Sequence, residues 1–138
     1  MAREASFSCV VCDEPAGRVR LLAGSEPWTD RSRTSLDALS DIDEALRPAD
    51  QAALVVDTFY GVDSQPVPAQ RVHQVTGAVA AADASALYAV AYSYAPFHCP
   101  DCPASYCGEH WAWRRFDDCD FSGIEGRCPD GHFHVLCY

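Results

Sequence analysis

Four short pairs of metal-binding residue types constrain this chain more than any other feature of its 138 residues. Cys9-Val-Val-Cys12 and Cys99-Pro-Asp-Cys102 are both C-x2-C. Cys107-Gly-Glu-His110 is C-x2-H, and Cys128-Pro-Asp-Gly-His132 is C-x3-H. Such spacings let a tight turn aim two soft donors at one ion, and zinc favours four of them in a tetrahedron. Eight donors, six Cys and two His, therefore predict two structural zinc ions, each of Cys3His type. A lone C-x2-C would carry little weight; four pairs in so short a chain carry a great deal.

The pairs sit at the two ends of the sequence. Positions 13 to 98, a run of 86 residues, contain no cysteine. The expected fold class is α+β: a small two-zinc module built from residues 1–24 and 97–138, with a mostly helical insertion over about 25–96, all within one domain. Arg18 to Leu22 reads as a strand. Thr34 to Arg47 has Leu36, Leu39, Ile42 and Leu46 at helical spacing. Asp50 to Tyr60 is ambiguous, because Leu54-Val-Val-Asp-Thr-Phe-Tyr60 suits a strand as well as a helix. Val72, Val75 and Val79 mark a helix over 68–82, and Asp83 caps another over 84–94 that Pro96 stops. Pro103-Ala-Ser is a turn signal, so Cys107 to His110 is expected to open a helix running into Trp111-Ala-Trp113. His132 to Tyr138 reads as a strand.

The order of turn, strand and helix resembles treble-clef zinc fingers, and four pairs in series resemble cross-brace domains of the RING and AN1 kind. Cys99-x2-Cys102-x4-Cys107-x2-His110 is similar to the AN1 spacing. The resemblance implies that Cys9, Cys12, Cys107 and His110 share one ion, and that Cys99, Cys102, Cys128 and His132 share the other. The chain departs from both families in the 86 residues between its first two pairs and in lacking the AN1 His-x-Cys ending. The last 42 or so residues also look like a group of short, uncharacterised bacterial zinc-binding proteins.

Composition narrows the rest. The formal net charge is −10, all ten basic residues are arginine, and lysine is absent. That balance disfavours phosphate-backbone binding, which needs clustered positive charge. Lysine chemistry is excluded, and the arginine- and alanine-rich usage suggests a GC-rich bacterial source. No signal-peptide pattern or membrane-spanning run is visible, so the chain is expected in a reducing cytoplasm, where cysteines serve as ligands more readily than as disulfides. Cys119, in the acidic run Asp117-Asp-Cys-Asp, and Cys137 are spare thiols. Either of them, or His134, could replace a ligand. His98 and His73 read as ordinary polar residues, and Trp111, Trp113 and Phe116 as packing around the metal.

Three functional readings follow. Filled four-ligand sites leave no position for water, so the first is a non-enzymatic zinc scaffold that binds a protein partner. The second is a RING-like cofactor of ubiquitin-like transfer, with Val11 at the docking position that the resemblance implies. The third is a zinc hydrolase or deaminase, which needs an open coordination position and a carboxylate base. Glu109, beside His110, would serve only if a ligand were lost, and the deaminase His-x-Glu motif is absent.

Overall fold

The computed structural model describes residues 3–23, 51–118 and 121–137. The helix expected over Thr34–Arg47 and the thiol of Cys119 lie outside these residues. The described chain is α+β, with three antiparallel sheets and two short helices.

The first sheet has four strands in the order β1-β2-β3-β4: Glu4–Ser8, Pro15–Leu22, Ala52–Thr58 and Gly61–Val67. The ambiguity over 50–60 resolves as a strand. Leu54, Val55 and Val56 are β-branched or bulky, and they pair in register with Leu21, Arg20 and Val19 of β2. The middle of the chain is thus less helical than expected. Its described part contributes β3 and β4 directly to the sheet begun by the N-terminus. Gly61–Val67 (GVDSQPV) is a poor strand by propensity, but it lies at the edge of the sheet, where Pro66 is tolerated.

Helices α1 (Val72–Ala80) and α2 (Ala84–Val90) follow. Asp83 caps α2 as expected, accepting a hydrogen bond from the Ala86 amide. The helix ends earlier than the sequence suggested, and a 3-10 turn occupies Tyr92–Tyr94. Val75 and Val79 of α1 and Leu87 of α2 meet Val19, Leu21, Leu54 and Val56 in one apolar core. Tyr94 donates to the Pro66 carbonyl at 2.7 Å and ties the turn back to the sheet.

The C-terminal third is built differently. A two-stranded ribbon, β5 (His98–Cys99) with β6 (Ala104–Ser105), precedes a three-stranded sheet of β7 (Ala112–Asp118), β8 (Phe121–Arg127) and β9 (Phe133–Cys137). The helix expected after Cys107 does not form. Residues 107–110 make a single turn, with the His110 and Trp111 amides both bonded to the Cys107 carbonyl. A strand follows, β7, in which half-buried Trp113 lies between exposed Ala112 and Arg114, and aromatic residues favour a strand. Donors at i and i+3 face the same side in an isolated turn as in the first turn of a helix, so the pair converges without one.

A second core holds this part together: Tyr106, Trp111, Ile124 and Leu136, interleaved with Cys9, Cys99, Cys107 and Cys128. Phe59, in the β3–β4 turn, touches both cores. The indole of Trp111, 1% exposed, donates to the Phe97 carbonyl at 2.9 Å. The ring of Phe97 in turn lies against Phe7 and on the backbone of Gly17. These contacts close the 86-residue excursion in space.

Candidate metal centres

Each of the four Cys/His pairs lies in or beside a turn. Residues 9–14 join β1 to β2, and the Cys9 amide donates to the Glu14 carbonyl at 2.7 Å while the Asp13 amide returns to Cys9 at 2.9 Å. Residues 100–103 join β5 to β6. Residues 128–132 join β8 to β9, with Gly131 at φ +87°, a conformation glycine adopts without steric cost. The fourth pair uses the turn 107–110, where Gly108 lies so close to Phe59 that a Cβ would come within 2.8 Å of the Phe59 Cβ. One backbone bond, from the Val10 amide to the Ser105 carbonyl at 3.0 Å, brings the N-terminal turn against the β5–β6 ribbon.

The turns converge on two clusters. In the first, donor atoms of Cys9, Cys12, Cys107 and His110 all lie within 4.8 Å of one another. In the second, those of Cys99, Cys102, Cys128 and His132 do the same. All eight residues singled out from the sequence are therefore brought together, in the grouping that the cross-brace resemblance implied.

Zinc sets a demanding test of fit. With bonds of about 2.3 Å to sulfur and about 2.0 Å to nitrogen, a regular tetrahedron has edges of about 3.8 Å between sulfurs and about 3.5 Å between sulfur and nitrogen. In cluster one, Cys12 and Cys107 sulfurs are 3.6 Å apart. The His110 Nδ1 lies 3.5, 3.6 and 3.2 Å from the sulfurs of Cys9, Cys12 and Cys107. In cluster two, Cys102 and Cys128 sulfurs are 3.6 Å apart. The His132 Nδ1 lies 3.7, 3.2 and 3.3 Å from those of Cys99, Cys102 and Cys128. Such spacings suit four donors on one ion and are far too long for disulfides, whose sulfurs sit about 2.05 Å apart. The described cysteines are free thiols.

Electrostatics supports a cation at each centre. Burial opposes charge on Cys9, yet backbone amides of Cys107, Val11 and Cys12 hold its thiol down at about 6. At Cys12 an amide of Glu14 favours the thiolate, but desolvation and the sulfurs of Cys107 and Cys9 push the thiol up to about 11. Cluster two repeats the conflict. Burial again opposes charge on Cys128, but amides of His132 and Asp130 lower its thiol. The Tyr106 hydroxyl favours the Cys102 thiolate, but desolvation, Asp130 and Cys128 together push that thiol up to about 12. In each cluster one thiol is held below its ordinary value and another is pushed above it, by desolvation first and by the anionic groups beside it next. A divalent cation removes that conflict.

The remaining candidates are placed as follows. His134 is not among the four donors of cluster two, but its Nε2 lies 3.7 Å from the Cys99 sulfur and 2.9 Å from Asp101 Oδ2. Cys137 is half-buried on β9, belongs to neither donor cluster, and desolvation raises its thiol. His98 is buried, with Nε2 3.0 Å from the Ser85 hydroxyl and Nδ1 3.3 Å from that of Ser105. Desolvation lowers its pKa and favours the neutral ring. His98 thus ties α2 to the ribbon that carries Cys99. Sequence reasoning passed over Asp101 and Asp130, although both follow a proline in a ligand turn, in Cys-Pro-Asp-Cys and Cys-Pro-Asp-Gly-His.

The profile of one family, described as Domain of unknown function (DUF8328), matches residues 1–137, and the chain belongs to that family. No curated protein and no solved structure matches it.

Proposed function

We propose that this chain is a non-enzymatic zinc protein, in which two structural ions build a surface that binds another protein. The observation that carries the reading is the pair of four-donor clusters with edge lengths suited to tetrahedral zinc. Cys9, Cys12, Cys107 and His110 would hold one ion, and Cys99, Cys102, Cys128 and His132 the other, in cross-brace order. A bound zinc would supply charge neutralisation and cross-linking here. The four protein donors at each centre complete a tetrahedron and leave no coordination position for substrate. The protein residues do the rest. Amides at the turns hold the thiolates, and Trp111, Tyr106, Ile124 and Leu136 keep water from the sulfurs of Cys9, Cys99, Cys107 and Cys128.

The exposed side chains suggest where a partner would sit. Val10 and Val11, 63% and 55% exposed, project from the turn between two ligands. Apolar side chains held out on a rigid, metal-clamped turn are poor core residues and good contact residues. The same observation keeps a RING-like transfer cofactor as the second reading. No described helix is long and apolar enough to cross a membrane, and a cytoplasmic site of action is part of this proposal.

Metal counting and a paired binding experiment test the two halves. The purified protein should carry two zinc ions, and the double variant V10S/V11S should keep both while losing the partner captured by the wild-type chain. Unchanged capture by that variant contradicts the docking assignment. A complex with a ubiquitin-conjugating-type enzyme would favour the second reading over the first.

A further inference from the structure

Cluster two has an unequal surround. Three thiolates and a neutral imidazole on a dication leave a formal charge of −1, and two carboxylates stand beside it. Asp130 Oδ2 lies 3.2 Å from the Cys102 sulfur, and Asp101 shares a side of the cluster with His134. On that side Cys99 Sγ, an Asp101 carboxylate oxygen and His134 Nε2 all lie within 4.8 Å of one another. The individual spacings are 3.7 Å for Cys99 to His134 and 2.9 Å for Asp101 to His134. Both Asp101 and Cys99 therefore approach the same ring nitrogen. That geometry is wrong for a proton relay, in which the carboxylate would orient the opposite nitrogen. At 2.9 Å the Asp101–His134 contact has the length of a hydrogen bond, and with the Cys99 sulfur facing the same nitrogen it also lets three donors converge on one point.

We propose that Cys99, Asp101 and His134 form a third metal site, sharing the Cys99 sulfur with cluster two and taking a divalent ion of the zinc class. The inference rests on the reading of cluster two as a zinc site. A second dication would balance the excess negative charge that the three thiolates and the carboxylates create. One thiolate, one imidazole and one carboxylate are donors that zinc accepts. Three protein donors leave one coordination position open. The Asp101 side chain is 54% exposed and that of His134 19%, so solvent reaches this site directly. The site is consequently weaker and faster to exchange than the two filled clusters, and it provides a route by which metal enters or leaves the buried sulfur of Cys99.

Zinc titration of the full chain against a chromophoric chelator tests the assignment. The wild type takes two ions tightly and a third more weakly. His134→Gln and Asp101→Asn keep the two tight ions and lose the third. Cadmium supplies a second readout, because a shared sulfur makes the third cadmium resonance couple to one of the other two. Saturation at two ions in the wild type overturns the proposal. So does a third ion that survives both substitutions, or one whose cadmium resonance is uncoupled. If His134→Gln instead drops the tight count to one, His134 is a ligand of cluster two, and the third site does not exist as drawn. Fewer than two tight ions in the wild type contradicts the two-zinc reading itself and removes this proposal with it.

Discussion

Gly108 and Gly131 show how little freedom the ligand turns have. Alanine at 108 would place a methyl 2.8 Å from the Phe59 Cβ, and the clash cannot be relieved by turning a flexible side chain. We expect Gly108→Ala to cost about 1–3 kcal/mol, as overpacking does, and to weaken metal retention at cluster one more than at cluster two. Thermal unfolding with and without a competing chelator measures both. Gly131 has open space around it but a φ of +87°, so Gly131→Ala should cost about 1 kcal/mol through backbone strain alone. Its effect should fall on cluster two. The eight clustered donors are legible in the sequence, because turn spacing and donor chemistry are local properties. Asp101 and His134 were harder to assign. They lie 33 positions apart, and only the folding of β9 over the β5–β6 turn makes them neighbours.

Strands and helices divide into those that advertise themselves and those that borrow stability from their neighbours. β2 and α1 carry apolar periodicity that matches their burial. β4 and β8 do not. β4 contains Asp, Ser, Gln and Pro, and β8 contains two glycines, so pairing with adjacent strands decides their conformation. The expected helix at 107 failed for the opposite reason: a local signal was read as an element when it was a single turn.

The junction between the first and third sheets offers a test at this scale. The Tyr60 hydroxyl donates to the Leu136 carbonyl at 3.3 Å, and desolvation together with the nearby Cys137 raises its pKa. Tyr60→Phe should cost about 0.5–1.5 kcal/mol, the net worth of one hydrogen bond. The pH dependence has a definite sign. With the phenol raised in the folded state, the unfolded chain ionises first as pH climbs past the ordinary tyrosine value of about 10. Stability therefore falls as pH rises above that value, and the phenol has no such effect below it. Denaturant titrations of wild type and Tyr60→Phe between neutral and alkaline pH should converge as pH rises. Parallel curves would remove Tyr60 from the account.

Two large cores stand out among the described residues, and the proposed ions would bear on them differently. The first is mostly valine, leucine and alanine from β1–β4 and the helices, with Tyr94 and Phe97, and contains no residue of either donor cluster. The second is threaded by the sulfurs of both donor clusters. Structural zinc sites are worth about 10–16 kcal/mol in small peptides, as much as the total stability of an ordinary domain, about 5–15 kcal/mol. The second core should not survive without its ions, whereas the first has apolar burial of its own. Chelation followed by hydrogen exchange should expose the amides of residues 97–118 and 121–137, while those of β2, β3 and α1 keep most of their protection. Uniform loss of protection would mean that the two cores unfold as one. The middle of the chain, expected from the sequence as a mostly helical insertion over about 25–96, is joined in its described part to the N-terminal sheet through the β2–β3 register and to the cluster-bearing core through Phe59. Long-range strand pairing of this kind leaves no mark on spacing or composition.

Native mass spectrometry counts the ions that the eight clustered donors hold. After exchange into a metal-free volatile buffer, the wild-type chain should retain the mass of two zinc ions. Cys9→Ser and Cys128→Ser, one from each cluster, should each retain one. A wild-type chain that carries no zinc, or only one ion, would contradict the account.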